Sequence, residues 1–155
     1  MPPRGPVPVK LYTKENSEKL VLGPVTVYIY EDGSTTDNRI GCMSLVLPPG
    51  ESGPPMHWHR FHDECFFVVK GSLRFKTPEG DIDAEEGQLM AVPPRAIHTF
   101  GNASETTPAE VFITCTPDFR MMGKWASEGK KLSGKEAKEL MSLFGTFPPD
   151  VESEP

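Results

Sequence analysis

Four histidines occur in 155 residues, and all four fall in two short segments. The first segment is His57-Trp58-His59-Arg60-Phe61-His62-Asp63-Glu64. Side chains alternate along a strand, so His57 and His59 project from one face. A short loop over Arg60–Asp63 would let Glu64 open a returning strand almost opposite His59, with opposed Cβ atoms about 5 Å apart. The second segment, Gly87 to Asn102, offers a strand, the turn Pro93-Pro94, and a strand opening at His98. A third imidazole from a neighbouring strand completes a set of three nitrogens and one oxygen. That set suits one divalent ion of Fe, Mn, Ni, Cu or Zn and leaves positions open for water or substrate. The competing reading is four ordinary polar residues. Three imidazoles and a carboxylate on apolar strands would then be buried without compensation, which a metal avoids.

Other residues are placed by the same alternation. Phe66 and Val68 share the side of Glu64 and are candidates to line a pocket, as is Phe100. Phe67, Cys65 and Trp58 point away, so a thiolate ligand is not expected. His62 lies in the loop and reads as a hydrogen-bonding or pocket-rim residue rather than a ligand. Arg95 reads either as an anchor for an anionic or carbonyl-bearing substrate or as a surface turn residue.

The elements that must position these groups are short. Apolar runs at Val9–Tyr12, Lys19–Leu22, Val25–Tyr30, Ile40–Leu47, Met56–His59, Glu64–Lys70, Ser72–Lys76, Ile82–Ala84, Leu89–Val92, Ile97–Phe100 and Glu110–Thr116 alternate with Gly, Pro and Asp turns. Such regular spacing predicts an antiparallel sandwich or barrel. The 17 prolines and 14 glycines fall between the runs as punctuation rather than as a disordered tract. Helical pattern comes late. Ser133 to Glu136 fits a capping box, Leu140, Leu143 and Phe144 share a face, and Gly145 suits the stop, which predicts a helix over about 133–145. Residues 1–8 read as a loose arm, 9–147 as one domain with its barrel over about 19–118, and 148–155 as a frayed acidic tail.

With 37% hydrophobic and 25% charged residues, one domain of this length can bury its own core. A net charge of −6 argues against nucleic acid, since duplex binding needs clustered Lys and Arg. The one basic stretch, Lys124 to Lys138, is interleaved with Glu128 and Glu136 and reads as a solvated face. Cys42, Cys65 and Cys115 are odd in number and widely spaced, which predicts free thiols in a reducing, cytoplasmic setting. The first residues lack the apolar stretch of a signal peptide, and no run approaches the roughly 20 residues of a membrane span.

The two histidine segments resemble the two signature motifs of the cupin superfamily. The first, H-x-H, four residues, E, six residues, G, matches as His57, His59, Glu64 and Gly71. The second, G, five residues, P-x-G, two residues, H, three residues, N, matches as Gly87, Pro93, His98 and Asn102, with Arg95 where the family usually has glycine. Arg95 therefore predicts a different turn there. Gly50 sits seven residues before His57, one position off the family's spacing. The resemblance implies an all-β double-stranded β-helix, or jelly-roll, barrel holding one metal ion on His57, His59, Glu64 and His98. Glu64 and His98 are the candidate catalytic residues, with Glu64 as general base. The segments Asp32-Gly33-Ser34, Thr36 to Arg39, Gly53-Pro54-Pro55 and Thr116 to Phe119 look like small single-domain cupins, some associated with natural-product tailoring and with quercetin dioxygenase. This implies a small-molecule substrate and a homodimer that pairs through sheet packing and exchange of Val9–Tyr12 and Lys19–Leu22. The functional expectation is a metal-dependent enzyme working by dioxygenation or by non-redox isomerisation, cyclisation or decarboxylation. The alternatives are a metal- and ligand-binding cupin without turnover and a structural oligomer with a vestigial site.

Overall fold

The computed structural model describes residues 5–116 and 145–151, together with Lys135, Glu139, Met141 and Ser142. Eleven strands are found among them: β1 Glu18–Leu22, β2 Val25–Glu31, β3 Gly41–Leu47, β4 Trp58–His59, β5 Glu64–Lys70, β6 Ser72–Thr77, β7 Gly80–Glu85, β8 Leu89–Val92, β9 Thr99–Gly101, β10 Ala109–Cys115 and β11 Thr146–Phe147. They form a six-stranded sheet β1-β2-β3-β10-β5-β8, a three-stranded sheet β7-β6-β9, and the pair β11-β4. Bridges His57↔His98 and Ser52↔Gly101 knit the segments around β4 to those around β9. The result is an all-β cupin-type barrel, as the strand spacing and motifs predict.

Alternation builds the core. On β10 every odd-numbered residue from Ala109 to Cys115 is buried, and on β5 Phe66 and Val68 are buried while Phe67 is exposed. Leu47, Phe66, Val68, Leu73, Phe75, Ala84, Val92, Phe100, Val111 and Ile113 form one cluster between the sheets. Each large side chain of this kind contributes about 1.5–3 kcal/mol on burial. The Phe66, Phe75 and Phe100 rings meet at centroid distances of 5.1–6.0 Å, the tilted contacts that aromatic quadrupoles favour.

One expected connection differs from the structure. The segment after His59 does not fold back as a hairpin: β4 pairs with β11, and β5 lies between β10 and β8 in the large sheet. Gly71 follows directly on β5. It is the corner where the chain leaves the large sheet for β6. Its φ is +76°, and a Cβ there would stand 2.6 Å from the Pro108 carbonyl oxygen, so only glycine fits. Val9–Tyr12 is not a strand. Val9 is fully exposed, and the segment is held instead by a Tyr12 hydroxyl donated to Glu31 Oε2 at 3.2 Å.

The predicted helix at 133–145 lies mostly outside the described residues, as do most of the basic stretch Lys124 to Lys138 and the segment from Pro117 to Phe119. Lys135, Glu139, Met141 and Ser142 are helical, and Gly145 follows with φ +65°, the left-handed conformation expected after a helix end. The region expected to be a frayed tail opens with a turn at 149–150, where the Pro148 and Val151 carbonyls both accept the Trp58 indole N–H at 3.2 Å. Residues 152–155 lie outside the description. All three cysteines are free. Among the described residues no helix is long and apolar enough to cross a membrane.

Candidate metal centre

The four expected ligands come together, from elements in different sheets. His57 and His98 face each other through a pair of backbone hydrogen bonds, His57 N–H to His98 O at 3.0 Å and His98 N–H to His57 O at 2.9 Å. His59 ends β4, and Glu64 opens β5 in the large sheet. The carboxylate thus reaches the imidazoles across the barrel rather than along one hairpin. The ligand nitrogens of His57, His59 and His98 lie within 4.8 Å of one another, and all three residues are buried.

The ring orientations follow from what each outer nitrogen meets. His57 Nδ1 lies 2.8 Å from the Pro55 carbonyl, and His98 Nδ1 lies 3.0 Å from the Ala96 carbonyl. A carbonyl can only accept, so both Nδ1 atoms carry the proton and both Nε2 atoms present a lone pair inward. His59 Nδ1 is 2.8 Å from Thr146 Oγ1. The inner atoms crowd one point: His57 Nε2 is 3.1 Å from His59 Nε2, and Glu64 Oε2 is 3.2 Å from Nε2 of both His59 and His98. Glu64 Oε2 and His98 Nε2 are buried without a hydrogen-bond partner. Lone pairs that face one another in a dry site repel. A proton relieves one pair, whereas a cation at the common point satisfies all four. The donor set and its orphaned atoms therefore fit a divalent ion.

Electrostatics points the same way. Burial lowers the His57 pKa to about 4, so its imidazole is neutral and ligand-ready at physiological pH. Burial works to raise the Glu64 carboxyl, but a proton on His59 Nε2, or a cation at the common point, outweighs it and holds the group well below the usual carboxylate range. Both groups bind protons less readily folded than unfolded, so each stabilises the fold at higher pH and loses that contribution as pH falls. For His57 the window runs from the ordinary 6.5 down to about 4. Metal-free protein is expected to lose roughly 3 kcal/mol across that interval from this group. Urea melts at pH 7, 5.5 and 4 measure it, and a flat profile would contradict the assignment.

The remaining candidates are placed as follows. His62 is buried with its ring centroid 5.1 Å from that of His59, outside the group of three ligating nitrogens. Trp58 points away from the centre and stacks on Phe147 at 4.7 Å. Phe66 underlies the centre, 6.4 Å from His98 between ring centroids, and Val68 is enclosed in the core. Neither borders either of the two cavities near the site. The smaller, of about 320 Å³, is bordered by His98 itself, with Phe75, Ile82, Met90, Ile97 and Arg95 around it. The larger, of about 560 Å³, is bordered by Phe100, Arg74 and the 50–56 loop and includes none of the four ligands. Asn102 is structural: its amide donates to the carbonyls of Leu47, Pro48 and Thr107, tying two loops at one end of the barrel.

Arg95 corrects an expectation. The turn is kept, not changed: Ala96 N–H bonds to Pro93 O at 3.2 Å, Pro94 takes the second position, and Arg95 holds φ +70° in the third. This is the type II geometry that glycine normally fills. Arg95 N–H also donates to His59 O at 2.7 Å, linking the turn to the ligand strand. An arginine in this conformation is strained by about 1–2 kcal/mol, partly offset by the unfolded-state entropy that glycine would add, so Arg95→Gly should stabilise by roughly 0.5–1 kcal/mol. Denaturant melts that show a loss instead would mean that the guanidinium contributes contacts of its own.

Comparison with known proteins agrees with this geometry. The Cupin domain family matches residues 43–115, the stretch that holds all four ligands. The chain has the cupin fold and resembles that family in its ligand motifs. It is 26% identical over 98 residues to a quercetin 2,3-dioxygenase of Bacillus subtilis (strain 168), an alignment covering 63% of this chain and 28% of that protein. The chain thus spans under a third of that relative's length. Among solved structures it resembles the polyketide cyclase RemF from Streptomyces resistomycificus, with TM-score 0.60 and 16% identity over 70% of this chain and 76% of that one. It also resembles a predicted oxalate decarboxylase from Thermotoga maritima, with TM-score 0.62 and 17% identity over 70% of this chain and all of that one.

Thr146 is the site residue that sequence reasoning missed. It stands 87 positions after His59 in a two-residue strand, and no local pattern marks it.

Proposed function

We propose that this chain is a metal-dependent enzyme acting on a small organic molecule. The observation that carries the proposal is the convergence of the three Nε2 atoms, those of His57 and His98 with lone pairs inward, and a Glu64 oxygen on one point, with His98 also bordering a mostly apolar cavity. His57, His59, Glu64 and His98 would hold the ion. A bound ion would supply Lewis acidity or, if redox-active, oxygen chemistry. The protein's own share is to keep the imidazoles neutral and oriented, to exclude water with the Phe66, Phe75 and Phe100 packing beneath, and to offer Glu64 as a proton acceptor. Phe75, Ile82, Met90 and Ile97 give the cavity apolar walls. Exposed Arg95 at its rim suits a substrate with an acidic or carbonyl oxygen, such as a phenolic or polyketide compound.

Two reaction classes use such a centre. The relative that dioxygenates quercetin supports oxygen insertion, and the cyclase and decarboxylase neighbours support a non-redox reaction. Elemental analysis of the purified protein followed by oxygen-electrode assays with phenolic substrates separates them. Iron, copper or manganese with oxygen uptake identifies the first class. Turnover without uptake identifies the second. Stoichiometric metal and ligand binding with no turnover of any tested compound would replace the enzyme by a binding protein.

A homodimer belongs to the same proposal. Phe67 and Leu89 lie opposite each other on neighbouring strands and are 40% and 57% exposed, next to Val69 at 42%, an apolar group that a second subunit would cover. Light scattering at micromolar concentration should give twice the chain mass of 17.1 kDa, and a monomer would overturn it.

A further inference from the structure

We infer that Thr146 is a positioning residue of the metal centre and that β11 completes the site from far along the chain. The inference rests on the metal-binding reading above. Two of the three imidazoles are oriented locally: His57 and His98 each give Nδ1–H to the carbonyl two residues earlier in their own segment, Pro55 and Ala96. His59 has no such local partner in its ring contacts. Its Nδ1 faces the Thr146 hydroxyl, and both residues are buried, Thr146 at 1% exposure.

The placement is built rather than incidental. Thr146 is registered opposite His59, and Phe147 opposite Trp58, in the β11-β4 pair. Alternation then turns Thr146 and His59 to the inside and the two aromatic rings to the outside, where they stack at 4.7 Å. On either side of this pair the contact is fastened. Arg60 N–H donates to Gly145 O at 2.6 Å, and the Trp58 indole donates to Pro148 O and Val151 O. The Arg60 guanidinium lies 4.8 Å from the centre of the Phe147 ring.

A hydroxyl differs from a carbonyl in one respect that matters here: it can accept or donate. When Thr146 accepts from Nδ1–H, His59 Nε2 keeps the lone pair that a metal needs. When the hydroxyl is removed, the buried Nδ1–H has no partner. The ring then gains by moving its proton to Nε2, where it points at the Glu64 oxygen 3.2 Å away and blocks ligation. Thr146 thus sets the tautomer of one ligand, a role at a distance from any substrate.

The test uses the full chain and Co²⁺ alone as probe, titrated by visible absorption against a competing chelator. Loss of a hydrogen bond behind a ligand histidine typically costs 10–100-fold in metal affinity, so Thr146→Val should bind Co²⁺ that much more weakly, whereas Thr146→Ser should stay within about threefold of the unsubstituted protein. Long-range ¹H–¹⁵N correlation on the metal-free, unsubstituted protein should show His59 protonated at Nδ1. Wild-type affinity in Thr146→Val, or His59 protonated at Nε2, would overturn the inference. Should Thr146→Val fail to fold, the tautomer decides. An unsubstituted protein that binds no Co²⁺ defeats the metal reading itself, and the tautomer still judges the Thr146 contact.

Discussion

Replacing His98 with alanine should leave the protein essentially without metal. Metal sites of comparable donor number bind with about 10–16 kcal/mol, so one donor in four accounts for roughly 2.5–4 kcal/mol, or about 10²–10³-fold in affinity. His98 is the most telling of the three imidazoles to remove. Its Nε2 is one of the two buried side-chain polar atoms without a hydrogen-bond partner among the described residues, and its backbone bridge to His57 does not depend on the side chain. The variant should therefore keep the barrel and lose the ion. Metal content by plasma mass spectrometry, read beside far-UV circular dichroism, distinguishes the two effects. His57→Ala and His59→Ala should behave alike. Stoichiometric metal in a folded His98→Ala protein would sink the four-ligand arrangement.

Glu64→Gln is expected to separate binding from catalysis. Glutamine keeps the volume of the side chain and removes its charge, so the ion is held less firmly but the pocket is unchanged in shape. If Glu64 only ligated, activity and occupancy would fall together. As a proton acceptor it would contribute a further 10²–10⁴-fold to turnover, the usual range for positioned proton transfer. Its carboxyl is held ionised against the opposing effect of burial by a proton on His59 Nε2 or a cation at the common point, which is the state a general base must occupy. The expected result is turnover per bound metal reduced by about 10²–10⁴, measured at saturating metal. A fully metallated Glu64→Gln enzyme with near wild-type turnover would remove Glu64 from proton transfer and leave the metal as the whole of the catalytic centre.

How far the sequence carries depends on whether a feature is local. Alternation and turn residues are local, and the runs from Lys19 to Thr116 all correspond to strands β1–β10, with ends shifted by up to two residues. Which residues converge is equally legible, because H-x-H and a glutamate five residues on carry their own spacing. Pairing is not local. The loop Arg60–Asp63 is short enough for a hairpin, yet β4 takes β11, far along the chain, as its partner, and Trp58 and Phe147 stack across that pair. Val9–Tyr12 has the composition of a strand but no neighbour to pair with among the described residues. Arg95 misled in the opposite direction. Its residue type argues against a left-handed turn, and the tertiary bond from its N–H to His59 O holds it there regardless. Phe66 and Val68 were placed on the correct face, but facing inward from β5 leads into a filled core rather than an open pocket.

The 87 positions that separate Thr146 from His59 also have a meaning in time. A ribosome adds about 5–20 residues per second, so roughly 4–17 s separate the synthesis of the ligand from that of the hydroxyl behind it. All four donors are translated before Thr146, and the last to arrive is the group that touches no metal. An ion meeting the nascent chain early would find His57 and His98 already set by their own neighbours and His59 still free to carry its proton on either nitrogen. On the proposed metal reading, the full set of contacts exists only once the chain has extended past Thr146 and β11 has docked on β4, so loading at full affinity would follow that step.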